Sequence, residues 1–409
     1  MALVLVSFRP FKGGEEAAPG LAASGGDAVN QIGFGLLGLL CAWAWTKGAV
    51  GERWRAFLTP AWLLLPMVIA WGITNADAPM ASFRAALFSA IVVVVAMTVM
   101  MLPRTREEML DALSIGTGTA IAFCYAAVFF VPEQGVHPYG GLEAQHGGLW
   151  RGVFDHKNVA SYVTGGLTLA GVYLMGNGRR RAGFAIALFA GVFTYFAGSK
   201  TVLLVAPLAL AMAGFAGWIG WNALRFLLLL LPILALNIAT LGAVLHPPLL
   251  EWLWEFVPGL TYTGRTDLWT FGIEQLGAVP WTGFGYESFW GTTRVVQMEQ
   301  PIELSWDVRG IVHGHNSWLD AAIGFGLPGA AALVMLLVLQ PLRDYVRIPR
   351  ETPLAGLATL LIGIWMLAAL GASLESFFLR RADPVWFLML LAVVGLRLAA
   401  WGSLRAQGR

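Results

Sequence analysis

Residues 312–320 read Val312-His313-Gly314-His315-Asn316-Ser317-Trp318-Leu319-Asp320, and they stand where a long polar interval turns into an apolar helix. The interval, from Leu260 to Ala330, is the only long polar one between two apolar helices. Upstream it carries Thr263-Gly264-Arg265-Thr266-Asp267-Leu268-Trp269 and Val279-Pro280-Trp281-Thr282-Gly283-Phe284-Gly285. The imidazoles of His313 and His315, the amide of Asn316 and the guanidinium of Arg265 are therefore expected at one face of an apolar protein. The sequence predicts that the functional site lies there.

The composition places this site in a membrane protein. The chain of 409 residues is 57% hydrophobic and 12% charged, with a mean hydropathy of +0.69. Soluble domains carry about twice that charged fraction. Cys41 and Cys124 both lie in apolar runs, so we expect neither a disulfide nor thiol chemistry. The fold class predicted is an all-α integral membrane protein with about 11–12 transmembrane helices.

Apolar runs of about 20 residues predict spanning helices, and the chain contains eleven candidates. Their approximate ranges are 31–46, 57–73, 83–102, 111–131, 153–175, 183–198, 201–217, 226–245, 315–339, 354–374 and 384–400. The predicted organisation is a flexible N-terminal tail at 1–30, a polytopic membrane domain at 31–403 and a C-terminal tail at 404–409. Within this membrane domain, the long loop at 246–314 carries short amphipathic helices at 249–257 and 266–276. Five of its tryptophans suit a membrane interface, namely Trp252, Trp254, Trp269, Trp281 and Trp290.

The distribution of arginines predicts the orientation. Alternate connections carry basic residues, which mark the cytoplasmic side and place the C-terminus there. The odd helix count then places the N-terminal tail outside. The opposite, outer face receives residues 132–152, the turn at 198–200, the loop at 246–314 and the connection at 375–383. It holds nearly all the remaining polar features.

The His315-Asn316 pair opens a helix at that outer face. A histidine can titrate near neutral pH and serve as a general base, with Asn316 orienting it or binding a sugar hydroxyl. The alternative is that His313 and His315 are ordinary interfacial loop residues. We favour the catalytic interpretation because the histidine leads a helix and shares its face with several cations.

Those cations are Arg265, Lys200, Lys157, Arg151, Arg380 and Arg381. Charge at membrane level costs roughly 2.5–3.5 kcal/mol, so each such cation suggests a function. Lys200 lies in Gly198-Ser199-Lys200-Thr201, with no acidic residue within forty positions. Arg380 and Arg381 could bind an anion or anchor the chain at the interface. Arg265 could be solvated, or could pair with Asp267 or Glu274.

A second polar group, Arg151-Gly152-Val153-Phe154-Asp155-His156-Lys157-Asn158, precedes the fifth predicted span. Asp155 or Asn158 could simply cap that helix by accepting hydrogen bonds from its free backbone N–H groups. Capping does not explain His156 and Lys157, so we expect this group to contribute to the site. The sequence shows no Asp-x-Asp pair and no His/Cys/carboxylate cluster with metal spacing, so no metal or other cofactor is predicted. Fixed cations would then handle a phosphate-bearing substrate.

Together these features resemble the O-antigen ligase and exopolysaccharide polymerase superfamily of bacterial envelopes. The resemblance covers about 150 to 385 and rests on four separated motifs in the expected order. They are Phe154-Asp155-His156-Lys157-Asn158, Gly198-Ser199-Lys200-Thr201, Gly264-Arg265 with Leu268-Trp269 ahead of Pro280-x-x-Gly283-x-Gly285, and His315-Asn316 ahead of Gly324-x-Gly326-x-x-Gly329. The first two motifs, with Leu374-Glu375-Ser376, resemble the polymerase branch more than the lipid A-core ligases.

The resemblance implies a metal-independent glycosyltransferase with a GT-C-like fold in the bacterial inner membrane, its active site facing the periplasm. The implied donor is an undecaprenyl-pyrophosphate-linked oligosaccharide, and the implied acceptor is a glycan or a lipid-linked acceptor. By position, His315 matches the general base and Arg265 the pyrophosphate-binding arginine. Lys200 stands where many ligases carry a second arginine. His313, Asn316, Lys157, Asn158, Arg151, Arg380 and Arg381 would bind substrate.

The reaction expected is polymerisation of repeat units into exopolysaccharide by inverting transfer. Two alternatives stay open, namely ligation of a finished glycan to lipid A-core or another acceptor, and transport of the lipid-linked glycan. A flippase and chain-length regulators would be partners besides membrane lipids, and no nucleic acid is expected. Against a transporter stand the lack of an internal repeat and the clustering of polar residues on one face.

Overall fold

A computed structural model describes residues 1–11, 28–140, 144–256, 262, 264–299 and 307–407. The described chain is helical and contains no β-strand, only an isolated antiparallel bridge between Val136 and Trp150. Parts of the predicted loop, residues 257–261, 263 and 300–306, lie outside this description, as does 12–27 of the predicted tail.

Two four-residue helices, Pro132–Gly135 and Thr293–Val296, are left unnumbered. The main α-helices, which include the predicted spans, are numbered in chain order. They are α1 (Ala2–Val6), α2 (Ala28–Thr46), α3 (Pro60–Thr74), α4 (Pro79–Met101), α5 (Arg106–Phe130), α6 (Lys157–Gly176), α7 (Arg180–Ala197), α8 (Lys200–Trp218), α9 (Asn222–Leu245), α10 (Pro247–Phe256), α11 (Arg265–Ala278), α12 (Ser317–Arg347), α13 (Ala355–Gly371) and α14 (Pro384–Gln407). Each of the eleven predicted spans coincides with one of them.

Length and composition alone qualify fewer helices as membrane spans. Among the described residues, eight helices of at least 18 residues are apolar enough to cross a bilayer, namely α2, α4, α5, α6, α8, α9, α12 and α14. The apolar helices α3 and α13 are shorter, and α7 begins with two arginines. The chain is therefore an all-α, multi-pass integral membrane protein, as the sequence predicts.

The predicted tail begins with a short helix that packs against the bundle. Residues Ala2–Val6 form a short helix in which Val4, Leu5 and Val6 are buried against the bundle. The Ser7 hydroxyl then donates a hydrogen bond to Asn30 Oδ1 at 2.6 Å, which ties this segment to α2. A five-residue apolar run is too short for a spanning helix, but it is long enough to fill a gap between helices.

The helices alternate in direction, so the connections gather at two ends of the bundle. One end, called here the Glu375 end, holds the starts of α6, α8 and α12 and the turn after α13. The opposite end holds the connection between α8 and α9 and the start of α13. The candidate catalytic residues His315, Arg265 and Lys200 all lie at the Glu375 end.

The loop between α9 and α12 packs into the bundle through its own apolar core. Trp269, Phe271 and Phe289 are buried against Leu319 and Ile323 of α12. This corrects one expectation, because Trp269 is fully buried and Trp290 is partly buried, whereas Trp252, Trp254 and Trp281 are exposed as an interfacial segment requires.

Two glycine motifs lock this loop to α12 by close backbone contact. Gly326 interrupts α12 with a φ of 69°, and a Cβ there would lie 2.4 Å from Trp281 O. A Cβ on Gly283, where φ is 65°, would lie 2.5 Å from Gly326 N. The carbonyl oxygens released by the break accept from the loop, since Phe284 N donates to Ile323 O and Gly285 N to Gly324 O. Only glycine tolerates both the positive φ and the close approach.

Candidate functional site

The start of α12 is fixed by its N-cap residue, Asn316. The Asn316 Oδ1 atom accepts from the backbone N–H groups of Trp318 and Leu319, each at 3.0 Å. Its Nδ2 donates to Ser373 O, and its backbone N–H donates to Ser376 Oγ. The residue is fully buried. Capping and inter-helix bonds therefore engage its amide, and the sugar-binding role expected for Asn316 stays a prediction.

The turn after α13 is held against the same helix start. Ser317 N donates to Ala372 O at 2.7 Å, and Ser317 Oγ donates to Glu375 O at 2.8 Å. The Ser317 hydroxyl in turn accepts from Phe377 N. These bonds fix residues 372–377 beside His315, which adopts a positive φ of 51° just before the cap. The side chains of His315 and Glu375 are consequently held face to face.

Glu375 joins three predicted site residues through one carboxylate. Its Oε1 accepts from Arg265 at 2.8 Å and from Asn158 Nδ2 at 2.7 Å, while Oε2 lies 3.1 Å from His315 Nδ1. Arg265 also donates to Leu374 O at 2.6 Å. The three charged or titratable side chains expose 15–21% of their surface. Arg265 thus pairs with Glu375, not with Asp267 or Glu274 as weighed from the sequence.

The electrostatics of this cluster keep Glu375 ionised. Burial by itself raises the pKa of the Glu375 carboxyl, but Arg265 and His315 outweigh burial and lower that pKa below its ordinary value. A carboxylate beside an imidazole fixes the proton on the nearer nitrogen and orients the ring. With the proton on Nδ1, the lone pair of His315 is on Nε2.

His313 adjoins this cluster from the other side. Its ring centroid lies 4.2 Å from that of His315, and its Nδ1 accepts from His315 N at 3.3 Å. Burial, followed by the charges of His315 and Arg380, lowers the pKa of His313 well below its ordinary value. Its surroundings therefore favour the neutral imidazole.

The start of α6 brings a second polar group to the Glu375 end. His156 is the N-cap residue, since its Nδ1 accepts from Asn158 N at 3.1 Å, so neither Asp155 nor Asn158 caps this helix. Lys157 N donates to His137 Nε2 at 3.1 Å, and Lys157 Nζ lies 3.5 Å from Gly198 O. Burial lowers the pKa of His156 to about 4, with an opposing contribution from Glu375. Burial likewise lowers the pKa of His137 to about 3.

The structure brings Lys200 near the cluster without a direct contact. It is the exposed first residue of α8, and it interacts electrostatically with Lys157, which in turn interacts with Glu375 and Arg265. Lys200 makes no ion pair with any residue of the described ranges. An accessible, unneutralised cation at this end is available to an anionic ligand.

Three other predicted binding residues have partners within the protein. Arg151 donates to the carbonyl oxygens of Gln134, Glu133 and Asp155, so its guanidinium holds the loop before α6. Arg381 forms an ion pair with Glu287. Arg380 donates to Ser376 O at 3.3 Å. Backbone carbonyls thus engage the guanidinium of Arg151, and Glu287 pairs with Arg381, while the anion-binding roles of these three residues stay predictions.

A cavity of about 820 Å³ lies beside the cluster. His156, His313, Asp320, Arg380 and Arg381 are among its lining residues, whereas His315, Arg265 and Lys200 are not. The three expected catalytic residues therefore do not share this cavity. His313 forms the boundary between the cavity and the Glu375 cluster.

Sequence reasoning missed Glu375 as a site residue. In the sequence it stood out only as part of Leu374-Glu375-Ser376. An acidic residue on the same predicted face as several cations without local partners could have indicated it. No group of histidine, cysteine or carboxylate side chains in the described part of the chain is arranged to hold a metal ion.

Two comparisons with known proteins agree with the motifs. Residues 184–334 match the model of the O-antigen ligase family, a range that includes Lys200, Arg265 and His315. The exopolysaccharide production protein ExoQ of Rhizobium meliloti (strain 1021) is 35% identical over 112 residues, which is 25% of this chain and 25% of the relative. The aligned part spans only a quarter of that protein. Both matches support a glycan ligase or polymerase type of function. For residues 184–334, the resemblance to the O-antigen ligase and exopolysaccharide polymerase superfamily is thereby confirmed.

Proposed function

We propose that this protein polymerises lipid-pyrophosphate-linked oligosaccharide repeat units into exopolysaccharide by inverting, metal-independent glycosyl transfer. The observation that carries the proposal is the single Glu375 carboxylate, which holds the candidate base His315 and the candidate anion-binding Arg265 at 3.1 and 2.8 Å. A base and a cation on either side of one carboxylate suit a reaction that removes a proton and releases an anion.

In the proposed step, an acceptor hydroxyl attacks the anomeric carbon of the donor sugar. His315 Nε2 takes the hydroxyl proton, and Glu375 holds the proton on Nδ1 and stabilises the imidazolium that forms. The new glycosidic C–O bond forms as the bond to the pyrophosphate breaks, and its electron pair leaves on the pyrophosphate oxygen. Attack from the face opposite the leaving group inverts the anomeric configuration.

The departing pyrophosphate needs compensating positive charge. Arg265 is the cation paired with Glu375, and its guanidinium N–H groups that do not donate to Glu375 or Leu374 O would bind the phosphate. Lys200 is exposed at the same end and supplies a second charge, with Lys157 and Arg380 as lesser candidates. Since these cations replace a divalent ion in the proposal, turnover is expected to persist in EDTA.

The proposed setting is the bacterial inner membrane. The Glu375 end would face the periplasm and the arginine-rich end the cytoplasm, because basic connections favour the cytoplasmic side. The donor would be an undecaprenyl-pyrophosphate-linked glycan, and a flippase and chain-length regulators would be functional partners. The polymerase is preferred over a ligase because the aligned relative is named for exopolysaccharide production.

The polysaccharide of a deletion strain tests the proposal. A polymerase defect gives lost polymer and accumulated single repeat units on the lipid carrier. Accumulation of finished lipid-linked polymer would instead identify a ligase that uses lipid A-core or another acceptor. Turnover in proteoliposomes that receive donor on the outer side would exclude a transporter, since transport needs access from both sides.

A further inference from the structure

The connection between α8 and α9, at the end of the bundle opposite Glu375, borders a second cavity. Its volume is about 300 Å³, and its lining includes Trp218, Arg225, Tyr345 and Arg350. A volume of this size is at the lower end of small-molecule sites. The cavity is remote from the cluster around Glu375 because α8 runs from one end of the bundle to the other.

Arg225 is a buried cation without an acidic partner among the residues that the structure describes. Only 3% of the residue is exposed, and its Nε is a buried atom with no hydrogen-bond partner. Its NH1 donates to Asn222 Oδ1 at 3.2 Å, and its guanidinium lies 4.6 Å from the centroid of the Tyr345 ring. A buried guanidinium ordinarily has a carboxylate or another anion beside it. The amide and the aromatic face compensate its charge only in part.

The carboxylates in this region do not supply the missing charge. Asp344, in the same segment of α12 as Tyr345, accepts from Arg397 at 3.0 Å and from Gln340 at 2.9 Å. Glu351 is exposed and forms no ion pair with a described residue. Positive charge around the cavity is instead increased by Arg350, whose NH1 donates to Trp218 O at 3.3 Å. Among the described residues, two arginines and no carboxylate therefore line the cavity.

The surroundings of the cavity are those of a membrane interface. Trp218 is 84% exposed and Trp221 is 70% exposed, as in the tryptophan belts at the ends of spanning helices. Apolar side chains of α8 and α9, including Phe215, Leu224 and Leu227, are exposed below them. An acyl chain could lie along these side chains while its headgroup enters the cavity.

We propose that this cavity binds the phosphate-bearing headgroup of an anionic membrane lipid, with Arg225 and Arg350 as the phosphate ligands. Basic pockets between helices on the cytoplasmic side are suited to such headgroups. The arginine-rich end of this bundle is the predicted cytoplasmic side, where anionic lipids are available. The lipid would bridge α8, α9 and the segment after α12. The proposal does not depend on the transfer reaction at the other end.

The test uses the full-length protein, delipidated in a zwitterionic detergent. Phosphatidylglycerol, phosphatidylcholine or inorganic phosphate is then added at equal concentration. Native mass spectrometry counts retained lipids, and the thermal unfolding midpoint reports stabilisation. We expect phosphatidylglycerol to be retained at least tenfold better than phosphatidylcholine and to raise the midpoint, and inorganic phosphate to do neither. An equal effect of inorganic phosphate would assign the site to a soluble anion and overturn the lipid proposal.

Three variants separate a built site from general surface charge. Arg350→Gln removes the exposed one of the two arginines that are proposed to bind the phosphate. Gly217→Leu fills the cavity from a position where an added Cβ meets nothing within 4 Å. Both keep Arg225 and should fold, and each should reduce phosphatidylglycerol retention at least fivefold. Arg343→Gln is the matched control, because Arg343 is exposed on α12 and does not line the cavity. Unchanged retention in the first two variants, or an equal loss in the control, would refute the proposal.

Discussion

Replacing Glu375 by glutamine tests whether Glu375 orients the imidazole of His315, the proposed general base. Glutamine keeps one oxygen, which can still accept from Arg265 and Asn158 as Oε1 does now. The other oxygen becomes an NH₂ group about where Oε2 now lies 3.1 Å from His315 Nδ1. A protonated Nδ1 would then face another donor, so the imidazole should change tautomer and place its proton on Nε2. In that state Nε2 cannot accept the proton of the acceptor hydroxyl.

The expected loss follows from these contacts. General-base assistance contributes about 10²–10⁴-fold to turnover. We therefore expect Glu375→Gln to reduce kcat by about that factor, which corresponds to about 3–5 kcal/mol in activation free energy. The folding free energy should fall as well, by up to about 3–5 kcal/mol, because the partly buried Arg265 also loses the negative charge of its ion-pair partner.

The assay is single-turnover glycosyl transfer in proteoliposomes with a purified lipid-linked donor. Glu287→Gln is the matched control, because Glu287 pairs with Arg381 at the same end of the bundle and should leave turnover unchanged. Adding His315→Ala to the Glu375→Gln variant should cause little further loss, since residues that act as a unit are not additive. Turnover within threefold of the wild type in a folded Glu375→Gln protein would refute the orienting role.

Three further predictions concern donor binding, pH and packing. Arg265→Ala should weaken donor binding more than Arg265→Lys in titrations with the lipid-linked donor, because lysine keeps the charge but loses the bidentate geometry. If both variants bind the donor as tightly as the wild type, Arg265 is not a donor-binding residue. Because the pKa of His156 falls from 6.5 to about 4 on folding, the unfolded chain binds more protons between these values, and stability should decrease as pH falls from about 6.5 to 4. His156→Asn, which retains a capping acceptor, should reduce the slope of that dependence in thermal unfolding by the contribution of one histidine, and an unchanged slope would contradict the assignment. His137 and His313, whose pKa values are also lowered, keep their contributions. Gly326→Ala should destabilise the protein by about 2–4 kcal/mol through its positive φ and close packing, whereas Gly214→Ala, which has open space, should not.

The spanning helices could be predicted because apolar length alone specifies them. The eleven predicted ranges each coincide with a helix, and α10 and α11 follow the amphipathic segments predicted in the loop. The buried N-terminal helix could not be predicted, because a five-residue apolar run gives no span signal and its position depends on the gap that it fills. The break of α12 at Gly326 depends similarly on a distant partner, the backbone near Trp281.

The sequence identified several residues of the candidate site but not the residues with which they pair. His315, Arg265 and Asn158 were identified from motifs, and the structure brings all three to one carboxylate. Glu375 was missed because it is 60 positions from His315, and a pairing over such a distance depends on how α12 and α13 pack. The capping role of Asn316 was missed for a related reason, since its geometry shows only once the helix start is located.

Single-turnover transfer by His315→Ala tests directly whether His315 is the general base of the proposed reaction. The donor is supplied already on the face that carries the Glu375 end, and membrane insertion and donor binding are measured on the same sample. We expect donor binding to persist while transfer falls by about 10²–10⁴-fold and no polymer accumulates. Full-length polysaccharide made at the wild-type rate by this variant would show that His315 is not the general base.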